Sequence, residues 1–580
     1  MRLEDYWGVG PKTSERLRET LGVEQAIEAI ESANIRALAD AGISRGRAVR
    51  ILRRANGAVG IETLGTRDAR EVYDDLLTLA SEHALTEHAA DRIRVLTPLA
   101  DVDAREARLD RVLAARDAWD DLTDDDREAI RSAFDAYDHA GGTERVAVET
   151  ALTLRDVGLR GGTFEMLDAL DDEALRTAVD ALGTVDEDGS VTPGTDAELD
   201  RLRERRDAVA DLEANALDVL ETVRERGVRS FEEFRSGFVE YVAGETDVRR
   251  GRVQAAVADD AHDEADFAST SLRSLLAELD ADVTERESAV AAELREDVAA
   301  AREDVDVAVD AVSDIAFELS LGRFAAAHDL TRPRLVDDGL AVSGARNLTL
   351  SGDVQPVTYG VGTHDVGGDP SPPSGDRVAV LTGANSGGKT TLLETLAQVA
   401  LLASMGLPVP AERADVGRFD TVVFHRRHAS FNAGVLESTL KSIVPPLSTG
   451  ERTLMLVDEF EAITEPGRAA DLLNGLVDLT VDRDALGVYV THLAEDLSPL
   501  PPEARIDGIF AEGLTEDLAL RVDYQPRFGT VGKSTPEFIV SRLVANARDR
   551  AERRGFEALA FAVGEEAVQR TLSDAEWAGE

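Results

Sequence analysis

The strongest chemical pattern in the chain is Gly383-Ala384-Asn385-Ser386-Gly387-Gly388-Lys389-Thr390, a complete G-x4-G-K-T, with Thr391 next in line. Its glycines let backbone N–H groups close around phosphate oxygens, and a helix N-terminus adds a favourable dipole. Lys389 then neutralises β/γ oxygens and Thr390 offers a hydroxyl to magnesium. Some 70 residues on, Asp458-Glu459 ends an apolar run. Asp458 there would hold the metal and Glu459 would polarise an attacking water. His492 follows a third apolar run, Val488 to Thr491, as a sensor of the terminal phosphate. Singly, an Asp-Glu pair is more often the start of a solvated loop, and a lone histidine more often structural; in this order they reinforce one another.

These residues need strand ends to hold them. Short β-branched runs at Val378–Leu381, Thr421–Phe424, Leu454–Val457 and Val488–Thr491 alternate with helical stretches, among them 391–403, and predict a largely parallel α/β sheet after about Asp337. Gly362 to Gly375 reads as an exposed loop. Upstream, from about Glu62 to Leu321, the text is charged and helical. Helices are expected over Leu199–Arg226 and Val283–Leu319, the latter with Val305, Val309, Val312, Ala316 and Leu319 at helical spacing. An acidic turn or hairpin around Asp188-Gly189 separates helices.

The phosphate loop, the Ser430-Phe431 segment, the Asp-Glu pair, Thr491-His492 and the terminal stretch 529–536, GTVGKSTP, together resemble the ATPase of the MutS family over about residues 375–545. The helical stretch ending in Leu330-Thr331-Arg332-Pro333 is similar to that family's lever, and 199–252 to a clamp. The resemblance implies an ABC-type P-loop ATPase using ATP and Mg2+. It implies a homodimer in which each subunit completes the other's nucleotide site through a signature serine, here Ser430, and levers that close around double-stranded or branched DNA. It puts Tyr359 and Tyr524 where a ring would stack on adenine; a core or surface ring is the alternative for either. The mismatch-reading N-terminal domain of that family, with its Phe-x-Glu wedge, is not found, and nothing in the first 60 residues replaces it, so the archaeal, recombination-associated branch that lacks the mismatch domain fits best. A true mismatch-repair sensor and a protein-binding ATPase scaffold are the alternatives. Nuclease activity has no supporting cluster of ligands, and an LSGGQ transporter signature is missing.

The N-terminus has its own signature. Gly8-Val9-Gly10-Pro11 and Ala41-Gly42-Ile43-Ser44, each followed by a helix, read as the two turns of a helix-hairpin-helix module. Gly8, Gly10, Lys12, Gly42, Ser44, Arg45, Arg47 and Arg50 are its expected contacts to DNA phosphates. Residues 1–57 carry ten basic and eight acidic groups, a net of plus 2 in a chain whose total is −50. The expected organisation is multidomain, α and α/β: a hairpin module at 1–57, a helical lever and clamp region at 58–336, and an ATPase at 337–580 with C-terminal dimerisation helices around Arg542 to Arg554.

Composition sets the setting. Of 63 basic residues only Lys12, Lys389, Lys441 and Lys533 are lysines, so 59 are arginines, against 113 acids. With 43% hydrophobic residues this is an over-acidified surface on a folded chain. The absence of cysteine excludes disulfides, thiolate nucleophiles and zinc fingers. The first ten residues carry acids and no apolar core, and no apolar run reaches membrane length, so a cytoplasmic protein with no membrane partner is expected. Such a surface fits a halophile, because salt suppresses self-repulsion. Thermal unfolding followed from dilute buffer to molar salt should show stability rising steeply with salt; full stability in dilute buffer overturns this reading.

Overall fold

The computed structural model describes residues 3–568 except 7, 32–33, 185–189, 353, 384–387, 428–432, 449–451, 460–465, 498, 515–519, 533–535 and 565–567. It divides into two compact units, residues 1–138 with 313–580, and residues 139–312.

The first unit is organised by a six-stranded sheet in the order β10-β9-β4-β8-β7-β6. These strands are β4 (Val378–Gly383), β6 (Thr421–His425), β7 (Thr453–Asp458), β8 (Leu486–Val490), β9 (Ala504–Leu514) and β10 (Leu520–Arg527). All neighbours run parallel except β10, which is antiparallel to β9. The strands from β4 to β8 in the middle of the sheet are continuous apolar runs because both faces are covered. Ala379, Leu381, Leu454, Leu456, Val488 and Val490 enter one core, with the helix Gly388–Ser404. The alternate residues Val378, Val380, Met455, Val457 and Tyr489 enter a second core on the opposite face. A smaller sheet, in the order β1-β5-β2-β3, is built from Arg334–Val336, Arg413–Gly417, Leu340–Ala345 and Val357–Val361 respectively. Gln398, which interrupts the apolar helix, is satisfied inside the core: its side chain accepts from Leu348 N at 2.9 Å and donates to Asn347 Oδ1 at 3.2 Å.

The bounds of the compact units differ from the expected domains. Residues 58–138 and 313–336, expected with the lever and clamp, sit in the first unit, because Leu64, Tyr73, Leu77, Val112, Leu321 and Phe324 share the core of the helix Gly388–Ser404. The hairpin module belongs to the same unit. Its helices Pro11–Thr20, Val23–Glu31, Ile35–Asp40 and Arg45–Glu62 enclose Leu17, Ile30, Leu38 and Leu52. Residues 63–65 run from the last of these helices along β6, the sheet's edge. Val422 N donates to Thr63 O at 2.7 Å and Gly65 N to Val422 O at 3.0 Å. Thr66 then caps the helix Arg67–Ser81 and also donates its hydroxyl to Phe424 O at 2.6 Å while accepting from Phe424 N at 3.1 Å. An open strand edge is thereby covered.

The second unit is helical, with Phe234, Phe238, Phe267, Val242 and Leu272 at its centre. The expected helix 199–226 is two helices, Ala197–Ala214 and Ala216–Glu225. They break at Asn215, whose side chain donates to the Asp211 carbonyl at 2.8 Å and leaves the helical region at ψ 33°. The expected helix 283–319 is likewise the end of Glu264–Ala300 and most of Arg302–Ala327. No helix among the described residues is long and apolar enough to cross a membrane.

Replacing Thr66 by Val keeps the shape and removes its buried hydrogen bonds. It should cost about 1–3 kcal/mol of stability, read as an earlier urea transition; an unchanged midpoint would show the edge contact to be dispensable.

Candidate nucleotide site and hairpin surface

Three parallel strand ends build the site. β4 ends at Gly383, at φ +127°, where a Cβ would stand 2.0 Å from Ile509 O, so only glycine fits. Residues 384–387, the middle of the phosphate loop, lie outside the described residues, as does Ser430. Gly388 begins the following helix, and Lys389, buried, donates from Nζ to the Gly383 carbonyl at 2.8 Å, back across the loop.

Thr390 and Asp458 are 68 residues apart in sequence and touch: the hydroxyl donates to Asp458 Oδ2 at 2.6 Å. Asp458 Oδ1 is buried and has no hydrogen-bond partner among the described residues. Burial raises the pKa of this carboxyl, against the Thr390 bond and Lys389, which lower it. An orphaned carboxylate oxygen beside a threonine hydroxyl and an ammonium is a donor set that fits a hard divalent cation holding a phosphate.

Glu459, the next residue, has φ +40° and is pinned by its own N–H to Val490 O at 3.0 Å. His492, beyond the end of β8, donates from Nε2 to Glu459 Oε1 at 2.9 Å. That bond, with the nearby cations, holds the Glu459 pKa below its ordinary value. The other oxygen, Oε2, is taken by Arg427 Nη1 at 2.6 Å. Arg427 escaped the sequence reading, yet it is legible once strand order is known. β6 and β7 run parallel with His425 opposite Val457, and two further residues along each strand bring Arg427 opposite Glu459.

The two tyrosines separate. Tyr359 is fully buried in β3 and donates to Asp507 Oδ2 at 2.9 Å, and burial pushes its pKa well up. Its ring has no face to offer adenine, which corrects the expectation for this residue. Tyr524 is 37% exposed and lies against the phosphate loop: a Cβ on Gly388 would meet its ring at 2.4 Å. Beside it is a cavity of about 320 Å³ lined by Asn347, Leu350, Gln355, Thr391 and Thr395. The terminal glycine stretch docks on the same strand end, with Gly532 N donating to Thr382 Oγ1 at 2.6 Å and Gly529 N to Asp507 Oδ1 at 3.1 Å.

In the hairpin module Gly8 and Gly42 adopt left-handed φ of +81° and +78°, and Val9 and Ile43 plug the core beneath them. The second turn and the helix that follows the first share one concavity of about 340 Å³, lined by Lys12, Thr13, Arg16, Gly42, Ser44 and Arg47. Arginines brace it from opposite hairpins: Arg47 donates to Thr13 Oγ1 at 2.7 Å and Gly8 O at 3.1 Å, and Arg16 to Gly42 O at 2.8 Å. Arg47 is thus engaged within the module. Arg45 reaches Asp91 at 2.9 Å, Arg50 returns to Gly46 O at 3.2 Å, and Gly10 caps the helix Pro11–Thr20. The C-terminal helices Pro536–Ala545 and Arg550–Val563 pack on each other through Val540, Val544 and Ala560, leaving Ile539, Leu559 and Phe561 exposed.

The chain is 44% identical over 221 residues to the DNA-binding protein MutS2 of Pyrococcus furiosus, covering 38% of this chain and 39% of that protein. It is 30% identical over 267 residues to the DNA mismatch repair protein MutS of Natronomonas pharaonis, covering 43% and 30%. With the endonuclease MutS2 of Shouchella clausii it shares 31% identity over 210 residues, covering 35% and 25%. The matches therefore span well under half the length of each of these relatives. No family model matches the chain. Over these spans the chain is similar to proteins named MutS2 and MutS.

Proposed function

We propose that this protein is an ATPase whose nucleotide state governs a largely sequence-independent grip on double-stranded or branched DNA, in repair or recombination. The observation that carries the ATPase part is the Thr390–Asp458 contact with its orphaned Oδ1, set between Lys389 and Glu459. Lys389, lifted from the Gly383 carbonyl, would bind the β/γ oxygens. Thr390 and Asp458 would hold Mg2+, which neutralises developing phosphate charge when bound. Glu459 would orient the attacking water, His492 holding its other oxygen and reading the terminal phosphate, while Tyr524 would stack on the base over the Asn347–Thr395 side of the cavity.

For DNA, the names of the relatives and the paired hairpin turns support the same reading. Lys12, Ser44 and the backbone N–H groups of the two turns would meet consecutive phosphates of one strand, which positions a protein without reading bases. For ATP and DNA to be coupled, DNA must favour one nucleotide state over another. The exposed Ile539, Leu559 and Phe561 support a homodimer through the C-terminal helices. ATP hydrolysis is the reaction assigned, and strand cleavage is not part of the proposal. A relative named for mismatch repair keeps the mismatch sensor as the second reading; affinities for matched, mismatched and branched duplexes, with and without ATP, separate the two.

Lys389→Ala should abolish nucleotide binding, whereas Glu459→Gln should keep ATP bound and lower turnover by about 10²–10⁴-fold, measured by phosphate release. Wild-type hydrolysis by Glu459→Gln would overturn the assignment of the water-orienting residue. Lys12→Glu should weaken duplex binding equally for unrelated sequences and lower the slope of log affinity against log salt by about 1; unchanged affinity would leave the hairpins to a protein partner.

A further inference from the structure

Among the described residues, Arg427 is a cation placed directly on Glu459 that has no part in the proposed ATP chemistry. Its guanidinium closes Glu459 Oε2 at 2.6 Å, while the side chain itself is 56% exposed and that of Glu459 only 10%. With Oε1 held by His492, both carboxylate oxygens are engaged by donors. A carboxylate that must present an oxygen to a water, in line with the terminal phosphate, has to give up one of them. The His492 contact comes from β8, inside the sheet, and the Arg427 contact from β6, at its edge. The Arg427 side chain is the more exposed of the two donors, so it is the one with room to withdraw.

The backbone that carries Arg427 is fixed from outside the ATPase sequence. Thr66 bonds both the N–H and the carbonyl of Phe424, and Asp68 accepts from Arg426 N at 2.7 Å and lies 3.8 Å from His425 Nδ1. Thr66 and Asp68 follow directly on the last helix of the hairpin module, Arg45–Glu62, through the 63–65 segment paired with β6. Arg426 in turn pairs with Glu394 at 3.0 Å, on the helix that follows the phosphate loop. The residues before Arg427 are therefore seated by the hairpin side of the unit, and its guanidinium ends on the group that orients water.

We propose that Arg427 is a positioning residue for Glu459: seated by Thr66 and Asp68, it holds the carboxylate out of the water-orienting geometry until strain on the hairpin module withdraws it. The inference rests on the proposed ATPase reading and adds regulation of the same site. Arg427 acts through Glu459, and its removal changes how often Glu459 is available and not how tightly nucleotide binds.

The test is steady-state ATP hydrolysis by the full chain with and without duplex DNA, in the salt that keeps it folded. Arg427→Ala should raise the DNA-free kcat by roughly three- to tenfold, leave KM for ATP within about twofold, and abolish further stimulation by duplex. Arg427→Lys, which keeps the charge, should restore the restraint, and Asp68→Ala, remote from the nucleotide, should raise kcat in the same direction. An unchanged or lowered kcat in Arg427→Ala, or an effect carried by KM, overturns the proposal, and an Asp68→Ala protein with wild-type kinetics overturns the seating. Glu459→Gln, run alongside, separates the two failures. If Glu459→Gln is inactive while Arg427→Ala is unchanged, only the restraint fails; if it hydrolyses normally, the water-orienting role of Glu459 falls and the restraint with it; and if the wild-type chain hydrolyses no ATP, the ATPase reading itself falls.

Discussion

A carboxylate taken out of water without a full set of partners is what the first unit is built to tolerate. Asp458 lies at the end of β7 with Oδ2 on Thr390 and Oδ1 unsatisfied, an arrangement that costs free energy in the absence of a cation. It persists because the surrounding geometry leaves it no alternative. β7 is buried along its whole length, β8 lies between it and β4, and the helix after β4 must cross that gap to bring Thr390 into reach. The neighbouring groups are fixed just as tightly, Glu459 by its N–H to Val490 and Thr491 by its N–H to Leu381. The strand ladder is thus continued past the strand ends, and side chains that would otherwise scatter are held around one point.

The same economy of means joins pieces that are remote in sequence. Residues 63–68 are 358 positions from the strand edge they cover, yet they supply backbone pairing, a helix cap and two side-chain contacts to three consecutive residues of that edge. A strand edge has unpaired backbone groups that must find partners. Here the partner is the segment 63–65 with the Thr66 cap of the helix Arg67–Ser81, so sheet completion and attachment of the N-terminal helices are one structural event. The glycines follow a similar logic. Gly388 lets the Tyr524 ring lie on the phosphate loop, and Gly532 lets the terminal stretch press against Gly383. Substituting either would collide with a ring or with backbone.

How far the sequence discloses this differs by kind of information. The four strands at 378, 421, 454 and 488 are legible because both of their faces are covered, which makes them unbroken apolar runs, and the G-x4-G-K-T and Asp-Glu motifs announce their own neighbourhood. The pairing of Thr390 with Asp458 follows from that same motif order. Arg427 is not legible, since its role exists only through the parallel register of β6 on β7. Tyr359 misleads for a related reason: alternation along a strand cannot say whether a tyrosine meets a ligand or a buried acid, and here Asp507 takes its hydroxyl. The helix breaks at Asn215 and Ala301 are missed because apolar spacing continues across them. The membership of 58–138 in the same unit as the helix Gly388–Ser404 is hidden because amphipathic helices do not name the surface they cover.

The charge pattern bears on which of these contacts can matter. At about 1 M salt the screening length is near 3 Å, so exposed pairs such as Arg468 with Asp471 contribute little. Pairs removed from solvent are spared that loss. Arg505, with 8% of its side chain exposed, joins Asp507, which is wholly buried, and lies over the rings of Tyr359 and Phe528. Glu459, with His492 and Arg427 on its two oxygens, is the partly buried counterpart at the site. Long-range attraction between a chain of charge −50 and a polyanion is unfavourable in dilute buffer and negligible in strong salt. What remains is contact-range bonding from groups that carry little net charge. Backbone N–H groups presented by left-handed glycine turns, braced by hydrogen bonds from Arg16 and Arg47, are donors of that kind.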